Sequence, residues 1–511
     1  MGFLKDRDLT NVPTIYEYYK GKTIFITGGS GFMGKVLIEK LLYSCSELDR
    51  IYLLLRNKKG VNAEDRLASL YSSKCFDRLR KEKPDIFQKK VFFIVGDCSE
   101  IGLGICAEDR TLIINRTNII FHVAASVRFD ETLKTAARLN LRGTREMVDL
   151  AKEIRNLEVL VHVSTSYANT NRKRIEEVIY PAFADWRDTL DICENIDDTT
   201  LNAVTPKYLG ELPNTYVFTK QLAEHVVAEQ KGILPIVIMR PSIVISSFRE
   251  PVEGWIENLN GPVGMLIASG KGILRTMYTD PDLESDYIPV DVCIKAFITA
   301  AWARGSQKVS PTDDIEVYNC SSSHMKTLTM GEIVDYGKKI IHEVPLEGML
   351  WFAGGSLTKV WLVYYFKVLL FHLLPAIFVD LMLRITGNKP ILVKLQRRIY
   401  TANIALKYFV TQQWTFTNEN IIELRGKIKK DDQDHFFYEM ENINPVEFFK
   451  NACIGGKVFI LNESMENLAK AKVHFKRMEL LDKVVKTTIQ VYALWLIVNI
   501  GFVKRFLQSV L

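Results

Sequence analysis

Hydrophobic residues in the first half of the chain cluster in short continuous runs separated by stretches with helical spacing. Six runs have the length and composition of buried strands, namely Thr23–Thr27, Ile51–Leu55, Val91–Val95, Ile119–Ala124, Val159–Val163 and Ile236–Met239. The helical stretches between them are Gly34–Tyr43, Leu133–Ile154 and Tyr216–Lys231. Because the runs are apolar throughout and alternate with helices, the pattern predicts an α/β fold with a doubly wound parallel sheet.

The first run leads into a glycine-rich turn, and the stretch 23–42 reads TIFITGGSGFMGKVLIEKLL. Gly28, Gly31 and Gly34 have the spacing of a dinucleotide fingerprint, in which glycines permit a tight turn and close approach to a pyrophosphate. The free N–H groups of the next helix suit the same anion. The stretch predicts a Rossmann-type nucleotide site, the alternative being a plain strand–turn–helix. We expect its contacts to come from Thr27, Gly28, Gly29, Ser30, Gly31, Phe32, Met33 and Gly34.

The end of the second run indicates which dinucleotide is bound. Enzymes specific for NAD carry an acidic residue here, about twenty residues past the last glycine, whereas this chain has the basic run Arg56–Lys59. Arginine accommodates a 2′-phosphate, so we predict NADPH, the alternative being a solvated basic loop. Asp97 after the third run and Ala124 at the end of the fourth complete the predicted cofactor contacts, and we expect His122 to pack in the core.

The later elements supply candidate catalytic groups. The fifth run ends in Ser164-Thr165-Ser166, at the sheet edge where ligands of open α/β folds bind. Tyr216 and Lys220 share one face of a predicted helix, and we expect the ammonium to lower the pKa of the tyrosine and to hold the cofactor ribose. Thr165, with Ser166 as its rival, completes a pair of groups around a carbonyl oxygen. The combination is typical of short-chain dehydrogenases/reductases, whereas the tyrosine–lysine spacing alone is common on solvated helices.

Seven segments give the chain a closer resemblance to a single family. They are TGGSGFMGKVLIEKLL, IYLLLRNKKG, FHVAASVRFDETLK, VHVSTSYAN, YVFTKQLAEHVV, RPSIVISSFREPVEGWIENLNGPVG and IPVDVCIKAF. Together they resemble the alcohol-forming fatty acyl-CoA reductases, a family of extended short-chain dehydrogenases/reductases. The resemblance covers about Val12–Ala300 and continues more loosely over Leu357–Ile460, where WTFTNENIIEL is the clearest stretch.

The resemblance implies NADPH-dependent, four-electron reduction of a long-chain acyl-CoA to a primary alcohol, with release of CoA and a bound aldehyde intermediate. It implies a place in wax, ether-lipid or cuticular lipid metabolism, and catalysis by Thr165 (or Ser166), Tyr216 and Lys220. Asn444-Pro445 departs from the tryptophan of many members, which leaves the role of the C-terminal domain open. The alternatives are another extended reductase acting on a sterol or other lipid carbonyl, or an inactive lipid-binding relative.

Composition argues against other classes of protein. A net charge of +6 spread over 511 residues shows no nucleic-acid footprint, and the length indicates more than one domain. Eight cysteines without C-x-x-C spacing argue against a zinc site or a disulfide framework and fit a reducing compartment. We therefore expect no metal and regard Cys98 and Cys293 as structural. Long-chain acyl-CoA and membrane lipid are the expected partners, and a homo-oligomer is left open.

Two apolar stretches in the second half indicate membrane contact. Val360–Leu383 is interrupted by Lys367, Pro375 and Asp380, so we expect a kinked, re-entrant or substrate-covering element rather than a spanning helix. Thr487–Val503 is long enough for a tail anchor or hairpin, the alternative being a buried amphipathic helix. Positive charge is richer before the tail than after it, which predicts a cytosolic catalytic domain. The endoplasmic reticulum is the favoured membrane and the peroxisome the alternative.

These patterns divide the chain into four parts. The predicted parts are an N-terminal arm (1–20), an NADPH-binding reductase domain with its substrate lobe (21–345), a mostly helical C-terminal domain containing the 360–383 stretch (346–470), and a basic linker with the 487–503 anchor (471–511).

Overall fold

The computed structural model has a seven-stranded sheet at its centre. It describes residues 9, 11–57, 60–259, 261–308, 310, 313–323, 327–439, 441–499 and 506–508. The strands are β1 (Thr23–Thr27), β2 (Arg50–Leu55), β3 (Val91–Val95), β4 (Ile119–His122), β5 (Val159–Val163), β6 (Ile236–Pro241) and β7 (Glu316–Cys320). All neighbours pair in parallel in the order β7-β6-β5-β4-β1-β2-β3. The order reverses between β1 and β4, so the carboxyl ends of these strands form the expected ligand crevice.

The predicted sheet is confirmed, and one further strand joins it. Each of the six predicted runs forms a strand, with ends that differ by at most two residues. β7 was not predicted because its sequence, EVYNC, mixes polar and apolar residues. The structure buries Glu316 and Asn319 with partners: the hydroxyl of Tyr318 donates to Glu316 at 2.6 Å, and Asn319 Nδ2 donates to the carbonyl of Thr417 at 2.8 Å.

Helices cover both faces of the sheet. Those before β7 are α1 (Ile15–Tyr19), α2 (Phe32–Ser44), α3 (Ala63–Tyr71), α4 (Asp77–Glu82), α5 (Ile86–Lys90), α6 (Ala107–Arg116), α7 (Leu133–Ala136), α8 (Gly143–Glu153), α9 (Trp186–Asn195), α10 (Asp198–Tyr208), α11 (Thr215–Ala228), α12 (Gly261–Gly270) and α13 (Val290–Gly305). A π-helical turn, Ala137–Arg142, joins α7 to α8. On β1, Ile24 and Ile26 pack into the cluster with α2 and α13, and Phe25 packs into the cluster with α8 and α11.

The C-terminal part is mostly helical, as predicted. Its helices are α14 (Met330–Glu343), α15 (Trp361–Val368), α16 (Leu374–Ile385), α17 (Leu392–Val410), α18 (Glu419–Gly426), α19 (Gln433–Phe436), α20 (Pro445–Gly455) and α21 (Leu468–Asn499). It packs on the predicted N-terminal arm, because Asp432 accepts from the backbone N–H of Ile15 at 2.8 Å. Short parallel pairs join it to the sheet domain: Ser356–Thr358 pairs with Thr276–Tyr278, and Thr415–Phe416 pairs with Arg174–Ile175.

One continuous helix covers the apolar stretch near residue 370. α15, a π-helical turn (Leu369–Leu373) and α16 form this helix over residues 361–385, and its most apolar 18-residue window has a mean hydropathy of 2.0. Its length and composition suffice to cross a membrane, and the expectation of a kinked, re-entrant or substrate-covering element stays a prediction. The helix continues through Pro375 because this residue follows the π-turn and lies in the first turn of α16.

The predicted anchor 487–503 begins inside α21, where Ile489 and Leu494 are exposed. Residues 500–503 lie outside the described part of the chain, so the anchor stays a prediction.

Candidate active site

The glycine turn between β1 and α2 leaves its backbone open to a ligand. Gly28 has a φ of 73°, and a Cβ atom there would lie 2.7 Å from the backbone nitrogen of Ala124 on the next strand. A Cβ on Gly34 would lie 2.3 Å from the carbonyl oxygen of Gly28. Only glycine fits both positions, so the predicted fingerprint residues form the tight turn at the switch point.

The N-terminus of α2 faces this turn with free donors. Gly31 is the N-cap and has no side chain to satisfy the first N–H groups of the helix, which suits an anion such as a pyrophosphate. Phe32, half-buried, stacks on Trp255 with ring centroids 4.9 Å apart. Gly29 and Met33 pack inward, Gly29 against Leu53.

Two arginines lie beside the turn at the end of β2. Arg56 is exposed and reaches Asp97 at 3.5 Å, and Arg66 Nη2 donates to Ser30 Oγ at 3.1 Å. Arg66 also donates to the carbonyl of Arg56. Burial, and then the charge of Arg56, lower the pKa of Arg66. Arg66 was missed from the sequence because it follows the predicted position by ten residues, on α3. Lys58 and Lys59 of the predicted basic run lie outside the described residues.

Thr27 links β1 to the end of β4. Its hydroxyl lies 2.8 Å from Nδ1 of His122 and accepts from the backbone N–H of Ala124 at 3.3 Å. His122 is buried, and burial lowers its pKa to about 3, so it is a neutral packed residue as expected. Thr27 and Ala124 therefore set the floor of the crevice.

Tyr216 and Thr165 come together at the carboxyl edge of the sheet. Tyr216 lies in the first turn of α11, and Thr165 follows β5. Burial raises the pKa of Tyr216 to about 12, and the neighbouring Thr165 hydroxyl opposes part of that rise. The prediction that Lys220 lowers this pKa is wrong for the structure, because desolvation dominates. The phenol is protonated at neutral pH and can donate a proton.

Lys220 is fully enclosed one turn along the same helix. Its ammonium donates to the carbonyl oxygen of Val163, the last residue of β5, at 2.7 Å. Burial lowers its pKa to about 8, and the charge of Glu224 opposes the shift. The lysine is thus fixed against the sheet and close to its titration point at neutral pH.

Ser166, the rival hydroxyl, is directed elsewhere. It is fully buried, and its Oγ donates to the carbonyl oxygen of Arg240 on β6 at 2.6 Å. Thr165 Oγ1 also donates to a carbonyl oxygen of β6, that of Pro241 at 3.4 Å, and accepts from the backbone N–H of Tyr167 at 3.2 Å. Of the two hydroxyls, however, Thr165 is the one that lies close enough to Tyr216 to affect its pKa.

A buried ion pair fixes α11 to β6. Glu224, one turn past Lys220, accepts from Arg240 Nε at 2.8 Å and from Nη2 at 2.7 Å, and both side chains are at most 2% exposed. Ser164 also donates to Glu224. Sequence reasoning missed this pair, although the spacing of Tyr216, Lys220 and Glu224 places all three on one helix face.

The π-turn before α8 contributes a second missed residue. Asn140 is buried, its Nδ2 donates to Thr219 Oγ1 at 3.0 Å, and its Oδ1 accepts from the N–H of Ser126 at 2.9 Å. It ties the loop after β4 to α11. π-turns are frequent at functional sites, but hydrophobic periodicity does not reveal them.

Aromatic residues of the C-terminal part close one side of the site. Phe129 lies 5.8 Å from Tyr216, and Phe409 of α17 lies 5.1 Å from Phe129, measured between ring centroids. Phe409 also contacts Tyr167, which follows Ser166. Tyr216 therefore has an apolar wall built partly by α17.

Comparison with known proteins identifies the family. Two family models described as male sterility protein match the chain, an NAD-binding one over residues 26–297 and a second over residues 371–463. Fatty acyl-CoA reductase 1 of Homo sapiens is 40% identical over 465 residues, which cover 91% of this chain and 90% of that protein. This chain belongs to the fatty acyl-CoA reductase family. The fatty acyl-CoA reductase wat of Drosophila melanogaster is 35% identical over 490 residues, or 96% and 93% of the two chains.

This reductase shares its fold with more distant proteins. The reductase domain of a nonribosomal peptide synthetase from Mycobacterium tuberculosis has a TM-score of 0.59 at 17% identity, covering 88% of this chain and 94% of that one. The resemblance inferred from the sequence is confirmed, and the reductase is an oxidoreductase with a nicotinamide-cofactor domain. Within the described residues, no group of three or more His, Cys, Asp or Glu side chains is arranged to hold a metal ion.

Proposed function

We propose that the protein reduces long-chain fatty acyl-CoA to the primary fatty alcohol, consuming two NADPH and two protons and releasing CoA and two NADP⁺. The protonated Tyr216 phenol beside the Thr165 hydroxyl at the sheet edge carries this proposal. The fatty acyl-CoA reductases that match most of the chain support the acyl substrate. The aromatic wall beside Tyr216 suits a hydrocarbon chain.

Tyr216 and Thr165 act on the carbonyl oxygen in both reduction steps. NADPH, when bound, would supply hydride to the carbonyl carbon. In the first step the two hydroxyls stabilise the charge that grows on the thioester oxygen, and the tetrahedral species then collapses to an aldehyde and CoA thiolate. In the second step the alkoxide formed from the aldehyde takes the proton of Tyr216. Lys220, held against the end of β5, places positive charge one turn along the same helix, which stabilises the phenolate left when Tyr216 gives up its proton.

The assignment of Tyr216 is tested by removing its hydroxyl. Tyr216→Phe keeps the ring packing and removes the proton donor, so we expect alcohol formation to fall by about 10² to 10⁴. Purified protein is incubated with NADPH and palmitoyl-CoA, and free CoA, aldehyde and alcohol are quantified. Tyr208→Phe is the matched control, because Tyr208 packs on Phe218 of the same helix but bonds Thr189. Near-normal turnover by Tyr216→Phe would refute the role.

We propose NADPH rather than NADH because Arg56 and Arg66 converge at the end of β2. Burial and mutual repulsion lower the pKa of Arg66, and a 2′-phosphate between the two guanidiniums would relieve that repulsion. Arg66→Ala should raise the KM for NADPH about tenfold and leave the KM for NADH within twofold. Arg80→Ala, which removes an arginine packed on Tyr71 and paired with Asp77, is the control. Equal losses with both cofactors would contradict the assignment.

We also propose that the protein is membrane-associated with its catalytic domain in the cytosol, at the endoplasmic reticulum or the peroxisome. The apolar helix 361–385 and the exposed end of α21 support membrane contact. Fractionation with protease protection of the catalytic domain tests this placement, and a catalytic domain protected inside intact organelles would contradict it.

A further inference from the structure

Helix 361–385 is buried along only one narrow stripe. Tyr364, His372, Ala376 and Asp380, spaced by four or eight residues, are its buried side chains. The other sides carry large exposed apolar residues, among them Leu362 (62% exposed), Phe366, Leu370, Phe371, Phe378 (61%), Leu381 and Ile385 (70%). An exposed apolar surface of this extent marks a partner or a membrane.

α17 packs back along this stripe and makes a helical hairpin, which we call the 361–410 hairpin. Asp380 accepts hydrogen bonds from the backbone N–H groups of Ile391 at 3.0 Å, Leu392 at 2.9 Å and Val393 at 2.9 Å. The carboxylate therefore caps the first turn of α17. The one acidic group in the hairpin thus has its hydrogen-bond partners within the hairpin. It does not oppose contact between the outer surface of the hairpin and lipid.

Positive charge is concentrated in the hairpin. Residues 361–410 contain seven lysines and arginines, one aspartate and no glutamate, a formal net charge of +6. The whole chain also carries +6, so the charges of the remainder balance. Lys394, Arg397 and Arg398 are exposed on α17, and none has a carboxylate within 4.0 Å among the residues that the structure describes. This charge complements an anionic headgroup surface.

The connections of the hairpin oppose a membrane crossing. Its two ends are held on the same body, because Ser356–Thr358 pairs with Thr276–Tyr278 and the Thr279 hydroxyl donates to the carbonyl of Val410. If 361–385 crossed the bilayer, α17 would have to cross back with its exposed basic residues in the hydrocarbon layer, where such residues are costly. A hairpin that enters and leaves one leaflet avoids this cost.

We propose that the 361–410 hairpin is a monotopic membrane element that binds an anionic lipid surface. Helix 361–385 is immersed in one leaflet, and the basic side of α17 lies among the headgroups. This places Phe409, at the last turn of α17, between the membrane surface and the Phe129–Tyr216 contact. The inference is independent of the tail anchor and concerns a different segment.

The first experiment distinguishes a monotopic hairpin from a spanning helix. Asn388→Cys, at the hairpin tip, is made in a Cys106→Ser chain, because Cys106 is exposed while the other cysteines are buried. The full chain is placed in sealed liposomes and treated with a membrane-impermeant maleimide before and after detergent. Ile233→Cys on the catalytic body, 63% exposed, is the control. We expect the two sites to be labelled to the same extent without detergent. Tip labelling that requires detergent would overturn the proposal.

The second experiment measures immersion and its dependence on lipid charge. Phe378→Cys in the same chain carries an environment-sensitive fluorophore, and vesicles contain acyl-chain spin labels with or without 30% phosphatidylserine (about one anionic lipid in three). We expect quenching at Phe378→Cys to be at least threefold greater than at Ile233→Cys in vesicles that contain phosphatidylserine. Most of this quenching should be lost in vesicles of phosphatidylcholine alone, and also when the chain carries Arg397→Glu and Arg398→Glu. Thermal melting checks that the variants fold. Quenching that does not depend on phosphatidylserine would refute the proposal. So would the absence of quenching in a chain that dimerises through the exposed face of helix 361–385.

Discussion

Helix α11 buries charged side chains, whereas helix 361–385 exposes apolar ones, the reverse of what polarity alone would predict. α11 carries Lys220 and Glu224, yet eleven of its fourteen residues are buried, these two among them. In helix 361–385 only 17% of the most apolar window is buried, although its mean hydropathy is 2.0. The comparison shows that polarity does not decide which residues are enclosed. Each buried charge of α11 has a hydrogen-bonded partner. For the leucines and phenylalanines of helix 361–385, we propose that lipid covers them.

The largest expected effect comes from breaking the ion pair beneath α11. Glu224→Gln leaves the fully buried Arg240 without its counterion, so we expect the free energy of unfolding to fall by about 3–5 kcal/mol. Glu229→Gln is the matched control, because its pair with Arg187 is largely exposed and should contribute at most about 1 kcal/mol. Denaturant unfolding measures both. Equal small losses would show that the buried charges do not hold the helix in place.

The next prediction compares one leucine from each helix. Leu222→Ala in α11 leaves a cavity in the core and should cost about 2–5 kcal/mol. Leu370→Ala in helix 361–385 removes a side chain that is 52% exposed, so we expect a change within about 0.5 kcal/mol in detergent solution. The two unfolding curves are measured under identical conditions. A loss of several kcal/mol at Leu370 would mean that protein, not lipid, covers this surface.

Much of the fold was predictable because local patterns and tertiary structure agree. β1 is apolar at every central position and is followed by glycines whose positions admit no side chain, so its sequence alone indicates the strand and the turn. β7 escaped prediction because Glu316 and Asn319 are buried with partners, Tyr318 on the same strand and Thr417 far along the chain. A charged or amide side chain whose hydrogen-bond partners come from tertiary contacts cannot be distinguished, from the sequence pattern, from an exposed residue.

The site was predictable only to the extent that sequence motifs specify it. The fingerprint, Thr165, Tyr216 and Lys220 follow from spacing, and the structure brings them to one sheet edge. Thr165 and Ser166 both donate to carbonyl oxygens of β6, so the preference for Thr165 rests on its proximity to Tyr216, which only the packed structure reveals. Arg66 and Asn140 reach the site from α3 and from a π-turn, and no periodicity indicates either. The pKa of Tyr216 is raised rather than lowered as predicted, because the desolvation that raises it depends on the packed structure.

The smallest effect concerns the titration of Lys220, the buried cation of α11. If its charge is needed for turnover, kcat/KM should decline above pH 8, about tenfold for each pH unit, because its pKa is about 8 in the free enzyme. Tyr216 does not titrate there, since its pKa is about 12. Lys231→Gln, just past the end of α11 and paired with Asp314 at the surface, is the control and should keep the same profile.

A loss of activity above pH 8 could arise from unfolding or from titration of Lys220. The two explanations differ in whether the free energy of unfolding falls or rises with pH. Between pH 8 and the ordinary lysine pKa of about 10.4, the unfolded chain binds this proton and the folded chain does not. The contribution of Lys220 to the free energy of unfolding therefore rises with pH over the range in which its contribution to activity falls. Measuring kcat/KM and denaturant stability on the same samples tests both signs. If Lys220→Met, which removes the charge, retains a stability gain above pH 8 of the parental size, the titrating group lies elsewhere and the enclosed lysine is not the distinguishing feature of α11.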